Sequence, residues 1–356
     1  MMNRRDAIKS LTAAAALAAL PSRHGFAQDA PKRTTLGLVT YACGHRRGWL
    51  RKQDAKVDLF EPFTFLEHCR SLGAGGMQHA LGTLSDDAAR KLRAAAEKHS
   101  LFIEAIISPP RDEKDVARFE SQVKTAVAVG CPAARTVIMP GRRYEQFDTR
   151  AEFDAAVARG KRMLEMAAPI VEKHRLPLAV ENHKDQRSDE RVALFKAISS
   201  EFVGACVDTG NSMALLEDPR ETAAALAPYA FSVHLKDQAV MEYDEGFLLG
   251  DIPLGQGCID LKSVVAILKK ANPKVNFALE LITRDALKVP VLTQRYWATL
   301  DNAAKDDVLW IDRLLSTRAA KELQQVSSLS EEERVKLEDA NVATSLKYAR
   351  EELGLT

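Results

Sequence analysis

Eight short apolar runs alternate with amphipathic stretches along the chain, and this alternation narrows the architectures open to it. The runs are TLGLVTYA (35–42), AGGMQHAL (74–81), LFIEAIIS (101–108), ARTVIM (134–139), PLAVEN (177–182), VGACVD (203–208), FSVHLK (231–236) and NFALEL (276–281). Between them, residues 61–72, 85–99, 114–129, 151–174, 191–200, 219–228 and 261–271 carry apolar side chains at helical spacing. Eight β/α repeats in about 270 residues predict a single α/β domain, a (β/α)8 TIM barrel over 33–300. The rival arrangement, a doubly wound sheet, normally has a glycine-rich phosphate loop after its first strand. Neither GxGxxG nor GxxxxGK[ST] occurs here.

Four of the runs end in metal-ligand chemistry. PLAVENHKD, GACVDTGN, FSVHLKD and NFALELIT turn abruptly polar, and place Glu181, Asp208, His234 and Glu280 at or just past predicted strand ends. Parallel strands deliver their C-terminal residues to one face, so three carboxylates and an imidazole are expected to converge there. Their separations of 27, 26 and 46 residues fit two strand-helix-strand repeats and a third with a long loop. This ligand set is hard to borderline and suits Mn²⁺ or Mg²⁺ rather than a thiolate-bound zinc, with Mn²⁺ the first expectation.

Residues 1–27 read as an export signal. Arg4, Arg5 and Lys9 precede the apolar stretch LTAAAALAAL and then Gly25-Phe26-Ala27, in the manner of a twin-arginine-type leader. The expected location of the mature chain is therefore periplasmic or secreted. A formal net charge of +1 argues against nucleic acid or an anionic membrane as partner. The expected partner is a small sugar or glycoside, and a homo-oligomer is compatible with the sequence. The five cysteines lack CxxC spacing and read as core thiols. Residues 301–356 are expected to form a helical extension packed on the barrel. There, Ser330 and Glu333 form a capping box ahead of Val335, Val342, Leu346, Ala349 and Leu353.

AVENH, VDTGN, VHLKD and ALEL in this order, with Leu254-Gly255-Gln256-Gly257 between the last two, resemble the xylose isomerase-like TIM-barrel superfamily of sugar isomerases and epimerases over about residues 35–298. In ketose 3-epimerases of that superfamily the four equivalent residues bind one divalent cation, Mn²⁺, Mg²⁺ or Co²⁺, and the two glutamates move protons, so the resemblance implies Co²⁺ as a further alternative here. The resemblance implies those roles for Glu181, Asp208, His234 and Glu280, with Glu181 and Glu280 catalytic. A histidine often stands at the position of Asn211 in those epimerases, and the departure weighs against a free ketohexose as substrate.

The chemistry follows from the residue types. A cation that polarises a carbonyl acidifies the neighbouring C–H, a carboxylate removes the proton, and the enediolate is reprotonated on either face. Isomerisation or epimerisation of a sugar is the first expectation. A lyase acting on 3-oxo-glycosides, by C2 deprotonation and loss of the C1 substituent, is the alternative. Endonuclease IV-like hydrolysis or non-catalytic sugar binding ranks below both.

Further residues are expected to contact substrate: His183, Asn211, Lys236, Arg284, His79 and Glu104. His79 is ranked above Gln78 and Glu104 as a wall residue. Lys236 is read either as a donor to substrate or as the partner of Asp237. Arg284 is read as reaching substrate or pairing near Asp285. Residues 238–258, with Phe247, Leu248 and Leu249 between two glycines, are expected to form a long loop, read as a hydrophobic lid.

Overall fold

The computed structural model describes residues 32–300 and 305–356. The export signal read from residues 1–27 lies outside the described residues. Eight parallel strands close a barrel: β1 (Gly37–Val39), β2 (Gly76–His79), β3 (Phe102–Ile106), β4 (Ala134–Thr136), β5 (Leu178–Glu181), β6 (Val203–Asp208), β7 (Ala230–Leu235) and, after a hairpin formed by β8 (Asp237–Tyr243) and β9 (Gly246–Ile252), β10 (Asn276–Leu279). β1 pairs with both β2 and β10, which closes the ring. The strands are buried along almost their whole length, as sheets covered on both faces must be.

The helices of the outer ring begin where the sequence offers a cap. Ser85 accepts from the Ala88 amide, and Thr149 and Glu152 form a capping box at the start of Arg150–His174. Asp260 accepts from the Ser263 amide at the start of Leu261–Ala271. Ser330 and Glu333 form the capping box of Glu331–Glu352, whose Val342, Leu346 and Ala349 are buried in the same core as the barrel. From that helix the buried Glu338 carboxylate accepts from the amides of His45 and Arg46, in the first turn of helix Gly44–Gln53. Among the described residues all five cysteines are free thiols, and no helix is long and apolar enough to cross a membrane.

The segment expected to be a long loop and lid is neither. Residues 237–252 form an antiparallel hairpin, and its second strand also pairs with β11 (Leu287–Val289) in a three-stranded sheet. The physical reason is a period of two: Phe247 and Leu249 are fully buried while Leu248 between them is only half-buried. Gly246 has φ +152° at the tight turn, and a Cβ there would lie 2.3 Å from the Val289 carbonyl oxygen. The apolar run is the inner face of a small sheet, not a cover for substrate.

Candidate metal centre

Glu181 and Asp208 are the last residues of β5 and β6, His234 is the penultimate residue of β7, and Glu280 directly follows β10. A register shift between Ala205 and Cys206 sets Asp208 beside His234, while Ala278 is the register partner of His234 on the other side. The four side chains are buried, and one ligand atom from each lies within 4.8 Å of all the others. The His234 Nδ1 stands 3.2 Å from Glu280, 3.5 Å from Glu181 and 3.9 Å from Asp208.

Asp208 and His234 are each held by their other side-chain atom. Oδ1 of Asp208 accepts from the Gly210 and Asn211 amides at 2.9 and 2.7 Å, a turn dictated by the sequence DTGN. The main chain of Asp208 is locked to the neighbouring strand end by the side chain of Asn182, which bonds both its N–H and its C=O. His234 Nε2 donates to Gln78 Oε1 at 2.7 Å, and this direction is forced. The Gln78 amide nitrogen is committed to Glu104 at 3.0 Å and Ser232 at 3.3 Å, so its oxygen must face the ring and Nδ1 is turned toward the three carboxylates. Ser232 and Asn276 also donate to Glu104.

Two buried atoms at the centre of this arrangement, Asp208 Oδ2 and His234 Nδ1, make no hydrogen bond. Each faces charged neighbours, with Lys236 Nζ 3.2 Å from Asp208 and Glu280 3.2 Å from His234, and buried polar atoms that make no hydrogen bond are costly unless something binds them. Converging on one point with two further carboxylates, they fit a divalent cation, whose bonds of about 2.1 Å separate opposite ligands by about 4.2 Å. Glu181, Asp208, His234 and Glu280 are the residues that would hold it.

The charges around the cluster differ from side to side. Arg135 of β4 donates through Nε to Glu181 at 2.6 Å and pairs with it again through Nη2, while Asn211 donates to the other Glu181 oxygen at 3.1 Å. Burial alone would raise the Glu181 carboxyl, but the Arg135 guanidinium overrides it and holds the group below the ordinary carboxylate range. Burial of Glu280 is similarly outweighed by Lys236 and His234. Lys236 Nζ lies 3.0 Å from Glu280 and 3.2 Å from Asp208. Burial pushes Asp208 up to about 6, with Glu280 and Glu181 acting in the same direction and Lys236 against it.

The remaining expected contact residues divide into two groups. His183, Lys236 and Arg284 line a cavity of about 150 Å³ at the mouth, together with Glu280 and Lys184. Asn211 is buried beside it, donating to Glu181 and accepting from Lys184 and Lys236.

His79 and Glu104 do not reach this cavity. Gln78 points into the barrel, so its neighbour His79 points out, with a ring nitrogen 2.8 Å from the Phe60 carbonyl oxygen and the ring packed on Phe65. Glu104 is fully buried beneath the ligands, as the acceptor for Gln78, Ser232 and Asn276. The ranking of His79 over Gln78 is thus reversed, because strand alternation rather than residue chemistry decides which side chain faces in.

Lys236 does not pair with Asp237. The Asp237 carboxylate accepts instead from the amides of Gln238, Gly255, Gly257 and Ile259. Gly257 is required at this close approach, since a Cβ there would lie 2.1 Å from the carboxylate, and the LGQG segment is therefore a cage for Asp237. Arg284 pairs with Asp251 at 3.0 Å rather than near Asp285. Arg135 and Lys184 are polar residues of this site that the sequence does not single out, as are Arg142 and Glu145 at the cavity wall. The only signals of Arg135 and Lys184 are an arginine inside an apolar strand and a basic residue three places past Glu181.

The sequence profile described as a xylose isomerase-like TIM barrel matches residues 66–314. The 3-oxo-isoapionate decarboxylase of Pectobacterium atrosepticum is 27% identical over 120 residues, 33% of this chain and 44% of that protein, so the match spans less than half of the relative. Among solved structures, D-psicose 3-epimerase in the presence of D-fructose is similar with a TM-score of 0.55 at 16% identity, over 84% of this chain and 95% of that one. A xylose isomerase-like TIM barrel protein from Mycobacterium smegmatis in complex with magnesium has a TM-score of 0.53 at 19% identity, over 75% of this chain and 96% of that one. At these identities the likeness is one of fold.

Proposed function

Since the chain belongs to the xylose isomerase-like TIM barrel family, we propose that it is a divalent-metal-dependent enzyme that isomerises or epimerises a sugar by proton transfer beside a carbonyl. One observation carries this reading: Glu181, Asp208, His234 and Glu280 converge in a buried cluster whose Asp208 Oδ2 and His234 Nδ1 make no hydrogen bond. When bound there, a cation such as Mn²⁺ supplies Lewis acidity that polarises a substrate carbonyl.

The residues of the chain do the rest. Glu280 lines the cavity, so its carboxylate is the one that takes the proton from the carbon beside the carbonyl. Lys236, 3.0 Å away, keeps Glu280 ionised and is placed to donate to a substrate oxygen on which negative charge develops. Glu181 is held as an anion with both oxygens occupied by Arg135 and Asn211, so to return a proton to the opposite face it must first be released by one of them and take up a proton from solvent. The proposed place of action is outside the cytoplasm, on the reading of residues 1–27 as an export signal.

A second reading is favoured by the partial match to 3-oxo-isoapionate decarboxylase. Loss of carbon dioxide from a carbon beside a ketone leaves the same kind of carbanion as loss of a proton, so one site can serve either cleavage. Proton NMR of the Mn²⁺-loaded protein with ketoses, aldoses and 3-oxo sugars in D₂O tests both readings, by reporting deuterium that enters beside the carbonyl. Exchange with a new isomer supports the first reading, release of carbon dioxide or of an aglycone supports cleavage, and no exchange or release with any of them removes the carbanion chemistry.

A further inference from the structure

Lys184 is a buried cation that the proposed proton transfer does not use. Its side chain lines the 150 Å³ cavity, it is only 4% exposed, and among the described residues no carboxylate pairs with it. Its ammonium donates to Asn211 Oδ1, a neutral acceptor. The backbone at Lys184 is left-handed, with φ +62°, a conformation that a non-glycine residue adopts at a cost and keeps where surrounding structure enforces it. The Lys184 carbonyl accepts from the Arg143 amide at 3.0 Å, which fixes this turn.

Two other side chains of the same cavity carry unsatisfied buried nitrogens, His183 Nδ1 and Arg284 Nε. Lys236, by contrast, is already compensated by Asp208 and Glu280. A buried ammonium with no carboxylate paired to it is costly, and the cost is reduced when a ligand brings a carboxylate to it. From this we infer that Lys184 is a specificity-determining residue that binds a carboxylate on the substrate, so that the sugar is a sugar acid. The inference rests on the cavity being the substrate site of the proposed enzyme. A carboxylate fits better than a phosphate dianion, because one lysine is uncompensated and Arg284 is already paired with Asp251.

The test compares binding of two inert probes to the Mn²⁺-loaded full chain by calorimetry: D-gluconate and D-glucitol, which differ by a carboxylate in place of a CH₂OH group. Gluconate is expected to bind about tenfold or more tighter, as a charge-assisted hydrogen bond gives. Lys184→Gln should erase the preference and Lys184→Arg should keep it, while Mn²⁺ binding, followed by electron paramagnetic resonance, stays unchanged in both. Equal binding of the two probes overturns the inference, and so does a preference that survives in Lys184→Gln, which would mean that the carboxylate meets the metal instead. Tighter binding of D-glucitol 6-phosphate than of gluconate reassigns the anion to phosphate and also overturns it. A protein that fails to bind Mn²⁺ sinks the proposed function itself, a result separable from loss of the charge preference alone.

Discussion

The two halves of the barrel contribute different things to one site. Strands β5, β6, β7 and β10 present the four ligands at their C-terminal ends, whereas β2 and β4 present Gln78 and Arg135, which touch the ligands and not the cavity, and β3 presents Glu104, which holds Gln78. The first half supplies the donor atoms. The second decides their state: Gln78 holds the His234 ring with Nδ1 toward the carboxylates, and Arg135 keeps Glu181 anionic. A metal site here is the product of a ligand face and an orienting face, and each can be broken separately.

The ligand face should give the largest effects. Glu280→Gln keeps the shape of the side chain but removes the base, and should slow proton exchange by about 10² to 10⁴-fold with little change in thermal stability. Retained exchange would take Glu280 out of the mechanism. Removal of the cation with EDTA should abolish activity, and Mn²⁺ should restore it. Full turnover by metal-free protein would mean that the four residues serve another purpose.

The orienting face should act through stability and metal affinity. Arg135→Met leaves Glu181 as a buried carboxylate without its counter-charge, a change that costs about 3–5 kcal/mol in comparable buried pairs. Bound Mn²⁺ offsets part of that, so the rise in melting temperature on adding Mn²⁺ should be larger in the variant than in the native chain. An equal rise would show that Arg135 and the cation do not share Glu181. Gln78→Ala frees the Nε2 hydrogen of His234 and should weaken Mn²⁺ binding by about 10- to 100-fold, the usual cost of losing a group that orients a ligand. Unchanged affinity would assign Gln78 to packing alone.

The same division explains what was legible in the sequence. The eight strands and seven of the helices lie within a few residues of their expected places, because buried parallel strands write themselves as apolar runs. The ligands were legible because each breaks such a run at its end. Gln78 and Glu104 sit inside runs, where a polar residue signals nothing about direction, and His79 drew attention by its chemistry alone. Arg135 was illegible for a related reason: its partner lies 46 positions away on the next strand, and only the closed barrel brings the two together. The hairpin at 237–252 was misread because its alternation is short and flanked by glycines that also suit a loop.

The smallest expected effect concerns the cavity rim. Burial and the neighbouring charge of Lys236 bring Lys184 down to about 8; Arg284 acts in the same direction, and Asp208 and Asp251 oppose it. Lys184 is thus a cation below that pH and neutral above it, so the preference for gluconate over glucitol should be full at pH 7 and fall about tenfold for each unit of pH beyond 8. Lys184→Arg stays charged throughout and should hold the preference flat between pH 7 and 9. A preference that falls equally in both proteins would place the titrating group elsewhere in the cavity. One that falls only in the native chain ties anion recognition to the ligand face, on the loop that directly follows β5 and its ligand Glu181.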